Sequence, residues 1–425
     1  MRIFRWPRVL LIVVFLSSSG LAWAQVTPAP SPSPSPEPTP SPSPEPSPSP
    51  SPEPEAPPPP PPVEVPPGAG GAGGPSGPLP VYGPASSKVF NPDIAVIGDF
   101  LGAMGSNDSD RATPSLELHE AEATFQAIVD PYARADFFLT FSHDEVGVEE
   151  GFITFTSLPA SFLLKVGKMR GSFGKVNQMH NHVMPWTDRP LVTQDLVGNE
   201  EGISDAGLSL SRLFPNSFLF VEATAEVYRG EMEGLFSAPR RQDVTFVGRL
   251  RGYRDLTEST NLDFGGSYAH GTGTEGAGFH TSLIGADLAF RYRPLRRALY
   301  RRLIVRTELV WSQRDLLDET PGHRTVDGDR PMPDGTQAHA FGAYVSTEYQ
   351  FARRWFAGFR LDHSERADDP SLVDKGASLL LTWWPSEFSQ IRGQYRHTSY
   401  GEGIKADEFL FQFLFSIGAH GAHTF

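Results

Sequence analysis

The chain has 425 residues, no cysteine and a formal net charge of -14, with 41 glycines, 41 prolines and 30 phenylalanines. The acidic balance argues against nucleic acid as a partner, and the absence of cysteine excludes disulfide cross-links. With 39% hydrophobic residues the composition is not that of a wholly disordered chain, and no cofactor is expected.

The N-terminus carries Arg2, Arg5 and Arg8, then the unbroken apolar run Val9 to Leu16, then Ala22-Trp23-Ala24 before Gln25. This is the pattern of a secretory signal peptide over residues 1–24. The apolar run is short for a membrane-spanning helix, and no cysteine stands after the cleavage position to carry a lipid.

Residues 31–54 are three octapeptides, SPSPSPEP, TPSPSPEP and SPSPSPEP; Pro57 to Pro62 and the segment GAGGAGG follow. Proline at every second position forbids helix and removes sheet donors. Residues 25–88 are therefore expected to be a disordered, largely polyproline II spacer. About 35 such residues, at roughly 3.1 Å each, reach on the order of 100 Å, which would allow contact with the cell wall.

From Ile94 onward the pattern has period two. In EAEATFQAIVD, Ala121, Ala123, Phe125, Ala127 and Val129 alternate with Glu120, Glu122, Thr124 and Gln126. The same alternation runs through FLFVEATAEVYR and YRRLIVRTELVWSQR. Alternation at 180° per residue means strands with two unlike faces. Here one face is apolar and the other fully charged, in segments long enough to cross a bilayer when tilted. That is the signature of a transmembrane β-barrel. In lipid only closure satisfies every strand's backbone.

The all-β reading places an antiparallel transmembrane barrel of about 16 strands in residues 89–425. The strands fall at 93–104, 116–130, 133–142, 147–157, 161–169, 203–213, 218–229, 243–254, 260–270, 280–292, 301–314, 337–350, 354–364, 376–384, 387–398 and 406–418. The connections alternate between short turns, such as Asp130-Pro131-Tyr132, and long loops, such as 170–202 and 315–336. Short periplasmic turns and long external loops have this order. The expected location is the outer membrane of a Gram-negative bacterium, in contact with its lipid. In the closing strand Phe409, Phe411, Phe413, Phe415 and Ile417 share one parity with Phe425. A terminal aromatic residue resembles the signal read by outer-membrane assembly machinery, although His423 stands where an apolar residue is usual.

The charged face supplies the candidate pore-lining residues. Early strands offer Glu120, Glu122, Asp136, Glu150, Asp205, Glu222 and Glu226; later strands offer Arg249, Arg251, Arg291, Arg302, Arg306, Arg360, Arg392 and Arg396. The expectation is an acidic wall facing a basic wall, since carboxylate rings favour cations and arginine rings anions. The longest loop, 170–202, has no strand pattern and contains Trp186, Met179 and Met184. It is expected to fold into the lumen as a constriction loop presenting Lys175, His180, His182, Asp188 and Arg189. His180-Asn181-His182 could place two imidazoles together, but no third ligand has a fixed spacing to them. Unbound polar histidines are the expected reading, with metal binding the alternative. His397 and Ser399 share a parity, but nothing positions a third group for nucleophilic catalysis, so no enzymatic activity is expected.

The stretches DPYARADFFLTF and VEEGFITFTSLPASFLLKVGKMRGSFGKVNQMHNHVMPWTDRPLV resemble the phosphate-selective porin superfamily. Those porins open their long loop with VGK-x-x-x-x-FG, as Val166-Gly167-Lys168 and Phe173-Gly174 do here. GISDAG and the terminal GAHGAH are similar to a group of porin-like proteins labelled zinc-regulated TonB-dependent outer membrane receptors. The resemblance covers most of residues 90–425 and implies a sixteen-stranded, trimeric, passive porin. About 340 residues after the spacer are too few for both a plug and the 22 strands of energised transporters. No ladder of lysines is present to carry over phosphate selectivity. The expected function is passive diffusion of small polar or anionic solutes. A non-conducting anchor, or a metal- or solute-binding receptor-like barrel tethered through the spacer, is the alternative.

Overall fold

The sixteen alternating segments pair into one closed antiparallel barrel, each strand bonded to the barrel strands before and after it in the chain and β1 bonded to β18. The strands are β1 (Asp93–Ser106), β2 (Leu116–Asp130), β3 (Ala133–Phe141), β4 (Val146–Phe155), β5 (Phe162–Arg170), β6 (Ser204–Phe214), β7 (Phe220–Tyr228), β8 (Thr245–Thr257) and β9 (Thr260–Thr272). They continue with β10 (His280–Tyr292), β11 (Arg302–Leu317), β14 (Gly335–Ala352), β15 (Trp355–Glu365), β16 (Val373–Ser386), β17 (Ser389–Ser399) and β18 (Lys405–Gly418). Between β11 and β14, β12 (Val326–Asp327) and β13 (Arg330–Pro331) form a separate two-residue hairpin. The computed structural model describes residues 92–109, 111–142, 146–297, 300–317, 326–327, 330–331 and 335–418. The expected signal peptide and spacer, and His420, His423 and Phe425, lie outside them.

The observed strands match the sixteen expected ones to within a few residues at their ends. Closure is complete along the seam, from Ala95 opposite Gly418 to Ser106 opposite Asp407. Among the described residues the barrel itself has no free edge to present unpaired N–H and C=O groups.

The two faces separate as the alternation requires. On β18, Phe409 and Phe415 are exposed on the outside, while Leu410, Gln412 and Leu414 are buried on the inside. On β16, Leu379 is 65% exposed and Leu381 and Trp383 follow it outward, whereas Ser378, Leu380 and Thr382 are buried. The outside is thus an apolar belt suited to lipid. The inside is more apolar than expected: Ile97, Leu101, Leu410 and Leu414 are buried there beside the polar groups. The main hydrophobic cluster also lies within the barrel, where Phe173, Val176, Met184, Trp186, Val192 and Leu196 pack against inward wall residues such as Tyr228 and Tyr344. No helix among the described residues is long and apolar enough to cross a membrane.

Candidate functional site

The inner cluster exists because the segment between β5 and β6, residues 171–203, runs inside the barrel. Its neck is held by Asn177, whose side chain donates to the carbonyls of Gly171 (2.9 Å) and Ile203 (3.0 Å) and accepts from the Ile203 N–H (2.8 Å). Gly202 has φ +59°, and a Cβ there would stand 2.2 Å from Asn177 Oδ1. Gly174 has φ +58°, and a Cβ there would stand 2.4 Å from Glu308 Oε2. Only glycine lets the backbone come so near in that conformation. Lys175 and Val176 then both donate their N–H groups to Glu308 Oε1 at 2.9 Å. The segment contains two single 3-10 turns and the short helix α1 (Leu191–Leu196), whose side chains Leu191, Val192 and Leu196 are buried.

The segment is fastened to strands around the barrel. Ser172 donates its N–H and hydroxyl to Glu226 on β7 at 2.7 and 2.8 Å. Lys175 Nζ lies 2.8 Å from Asp263 on β9 and 3.2 Å from Asp287 on β10. Asp188 accepts from Arg360 on β15 (2.8 Å) and from Arg396 on β17 (2.9 Å). Burial alone would raise the Asp188 pKa, but the two guanidiniums outweigh it and hold the carboxyl at about 2. Trp186 stands edge-on to Tyr344 at 5.1 Å, with the Arg360 guanidinium 5.3 Å above its ring. Arg189 turns back on the segment itself, donating to the carbonyls of Val176 (3.3 Å) and Met179 (3.0 Å) and to Asn181 Oδ1 (2.9 Å). Burial lowers its pKa to about 10.

The two histidines meet an acidic patch. His180 Nδ1 is 2.6 Å from Glu122 Oε2 and 3.2 Å from Glu149 Oε2, and its Nε2 is 2.7 Å from Glu150 Oε1. His182 Nδ1 is 3.6 Å from Glu122 and 3.8 Å from Glu120. Burial opposes charge on His180, yet Glu149 and Glu122 prevail and hold its pKa well above the ordinary histidine value. His182 is raised in the same way, chiefly by Glu122 and then Glu120. Ligand atoms of Glu122, His180 and His182 lie within 4.8 Å of one another, as do those of Glu120, Glu122 and Glu149.

Glu149 has no place in the sequence expectation, because strict alternation sends only one of two adjacent residues inward. In the pairing of β3 with β4, Phe138 faces Glu150 and Leu139 faces Val148, so Glu149 is the extra residue of a bulge. A bulge re-aims a side chain, and both glutamates are buried inside. Two adjacent carboxylates on a membrane strand were the available signal, since one would otherwise face lipid.

The anticipated inner residues stand on the inward parity of their strands, but the basic side is not a bare basic wall. Arg249 pairs with Asp287 (2.8 Å), Arg251 with Asp263 (3.0 Å) and Glu222 (3.5 Å), and Arg291 with Asp263 (3.4 Å). Arg302 reaches Glu348 at 3.6 Å, Arg360 also holds Asp362 at 2.7 Å, and Arg396 holds Glu408 at 3.1 Å. On the acidic side Asp136 accepts from Arg134 at 2.9 Å. The sequence reading grouped charges by half and missed these cross-strand carboxylates, which sit on the same inward rows. Two arginines differ. Arg392 donates to the neutral side chains of Thr382, Gln412 and Gln390. Arg306 has a buried Nη1 without a hydrogen-bond partner, beside a small cavity under Trp186 that Ser346, Glu348 and Thr382 also line. Elsewhere, His397 lies with Asp407 (2.8 Å) on the outward row.

No family model matches the chain. A protein of Aquifex aeolicus (strain VF5), described as uncharacterized, is 31% identical over 402 residues, covering 80% of this chain and 81% of its own. Among solved structures, OprB of Pseudomonas putida aligns with a TM-score of 0.49 at 10% identity, over 77% of this chain and 94% of its own. The outer membrane channel DcaP of Acinetobacter baumannii aligns with a TM-score of 0.48 at 11% identity, over 77% and 96%. OmpT of Vibrio cholerae, an outer membrane protein, aligns with a TM-score of 0.47 at 10% identity, over 77% and 97%.

Proposed function

We propose, for a chain that belongs to one family with the Aquifex aeolicus protein, a passive channel in the outer membrane of a Gram-negative bacterium, narrowed by residues 171–203. The barrel's apolar exterior and closed ladder suit lipid on the outside. Sixteen strands enclose a lumen wide enough for solute, and the inward segment lies within it. The solutes are small and polar or anionic. Arg306 and Arg392 carry this part of the reading, because among the described residues neither has a carboxylate ion-pair partner while most other inward arginines do. Inward guanidiniums not bonded to a carboxylate favour anions. The homotrimer, the phosphate-selective porin kinship, recognition by the assembly machinery and cell-wall contact through the spacer belong to the same proposal.

A second reading, a non-conducting receptor-like barrel, draws on the density of fastening between the inward segment and β2, β4, β7, β9, β11, β15 and β17. Reconstitution of the mature chain in a planar bilayer separates the two. Discrete conductance steps with an anion-favouring reversal potential, shifted toward cations by Arg306→Ala, support the channel. Silence from folded, inserted protein moves the function to the receptor-like barrel.

A further inference from the structure

We propose that Glu120, Glu122, Glu149 and His182, with His180 holding Glu122 in place, form a binding site for one divalent transition-metal ion, which pins the inward segment to β2 and β4. The site does not depend on whether the barrel conducts.

The first argument is an inventory of unused donor atoms. Glu120 Oε1, Glu122 Oε1, Glu149 Oε2 and His182 Nδ1 are all buried and make no hydrogen bond. Glu149 Oε2 lies 3.2 Å from His180 Nδ1 but outside hydrogen-bonding geometry. Leaving one buried polar atom unmatched costs on the order of 1–3 kcal/mol. Three of the four are carboxylate oxygens, and His182 Nδ1 joins them as a lone-pair donor when its ring is neutral; together they define a place for a cation.

The second argument is that the opposite atom of each carboxylate is held. Glu120 Oε2 accepts from Asn181 (3.2 Å), Glu122 Oε2 meets His180 Nδ1 (2.6 Å), and Glu149 Oε1 accepts from Arg170 Nε (3.0 Å). Arg170 is itself anchored, donating to the carbonyls of Glu200 (2.9 Å) and Glu201 (3.2 Å). Each carboxylate is thus fixed through one oxygen, and ligand atoms of the three lie within 4.8 Å of one another, which is how outer partners prepare ligands for a metal. Glu150 closes the far side of His180 at 2.7 Å and orients that ring.

The third argument is charge. Four carboxylates converge on His180 and His182, and among the described residues Arg170 is the one arginine bonded to them; once His182 gives up its proton to coordinate, negative charge is in excess even with His180 cationic, and a dication offsets it. The donor set selects the ion. Imidazole with carboxylate suits zinc, iron or manganese, whereas calcium and magnesium prefer oxygen alone. Metal–ligand bonds of about 2.1 Å place neighbouring donors roughly 3–4 Å apart. His182 Nδ1 already stands 3.8 Å from Glu120 Oε1.

The test uses the mature chain, purified without a histidine tag, stripped with a chelator and titrated with Zn2+ in detergent. One Zn2+ per chain is expected. Glu122→Gln and His182→Ala should each weaken binding about 100-fold or more, while His397→Ala on the outer face should bind like the parent. Folding of every variant is checked by heat-modifiable gel mobility. X-ray absorption at the zinc edge of the unsubstituted protein needs no variant and should show oxygen donors with at least one imidazole. The proposal is overturned by folded protein that takes up no Zn2+ at micromolar concentration, by variants that bind like the parent, or by a zinc shell of oxygen alone.

Discussion

Asp188 shows how much one side chain of the inward segment carries. It lies between Arg360 and Arg396, which are backed by Asp362 and Glu408. Its carboxyl titrates at about 2 in the folded chain, against an ordinary value of 3.8. A depressed carboxylate pKa means that stability is present above the ordinary value and is lost as pH falls through the folded one. A shift of this size corresponds to about 2–3 kcal/mol. Thermal unfolding followed by circular dichroism should therefore show the parent losing about 2 kcal/mol between pH 5 and 2 beyond the loss seen in Asp188→Asn. Equal losses in both proteins would mean that Asp188 does not fasten the segment. The bulge at Glu149 and the glycines at 174 and 202 act at the same level: each allows one close approach that ordinary strand or loop geometry would not.

For single strands, the decisive property is parity. Leu379 on β16 faces outward among Tyr395 and Phe359 of the adjoining strands, near the middle of its strand, where lipid is deepest. Leu379→Arg should lower folding stability in lipid vesicles by about 2–4 kcal/mol, whereas Leu379→Ala should cost much less; a neutral Leu379→Arg would contradict the lipid-facing assignment. Parity was readable because the strand period is two and a shift of one residue would send every apolar side chain inward. It failed locally at Glu149, and the reason is physical: a bulge adds a residue without changing composition, so the row after it flips.

Taken together, the barrel wall and its inward segment are held by different bonds. The wall is closed by backbone hydrogen bonds from β1 round to β18 and does not need the segment for its ladder. Replacing residues 176–189 by a short Gly/Ser linker should therefore leave a barrel that inserts and shows heat-modifiable mobility. It should raise single-channel conductance several-fold, because the cross-section now filled by Trp186, Met184 and their neighbours would open to water. A barrel that inserts with unchanged conductance would show that this segment does not set the conduction path.

Much of this was legible from composition and order alone. Strand number, facing, closure and the alternation of short turns with long loops follow from local rules: a two-residue period, a bilayer of fixed thickness, and backbone groups that must all be paired. The length and apolar content of the segment after Arg170 also suggested that it folds inward. The partners of its charges were not legible. Lys175 meets Asp263, Asp188 meets Arg360 and His180 meets Glu122 across separations of 88, 172 and 58 residues. Such meetings depend on where the curved wall brings distant rows together, and on bulges that turn single side chains. No local pattern encodes either, so the paired arginines and the histidine–glutamate cluster became visible only once the barrel had closed around the segment.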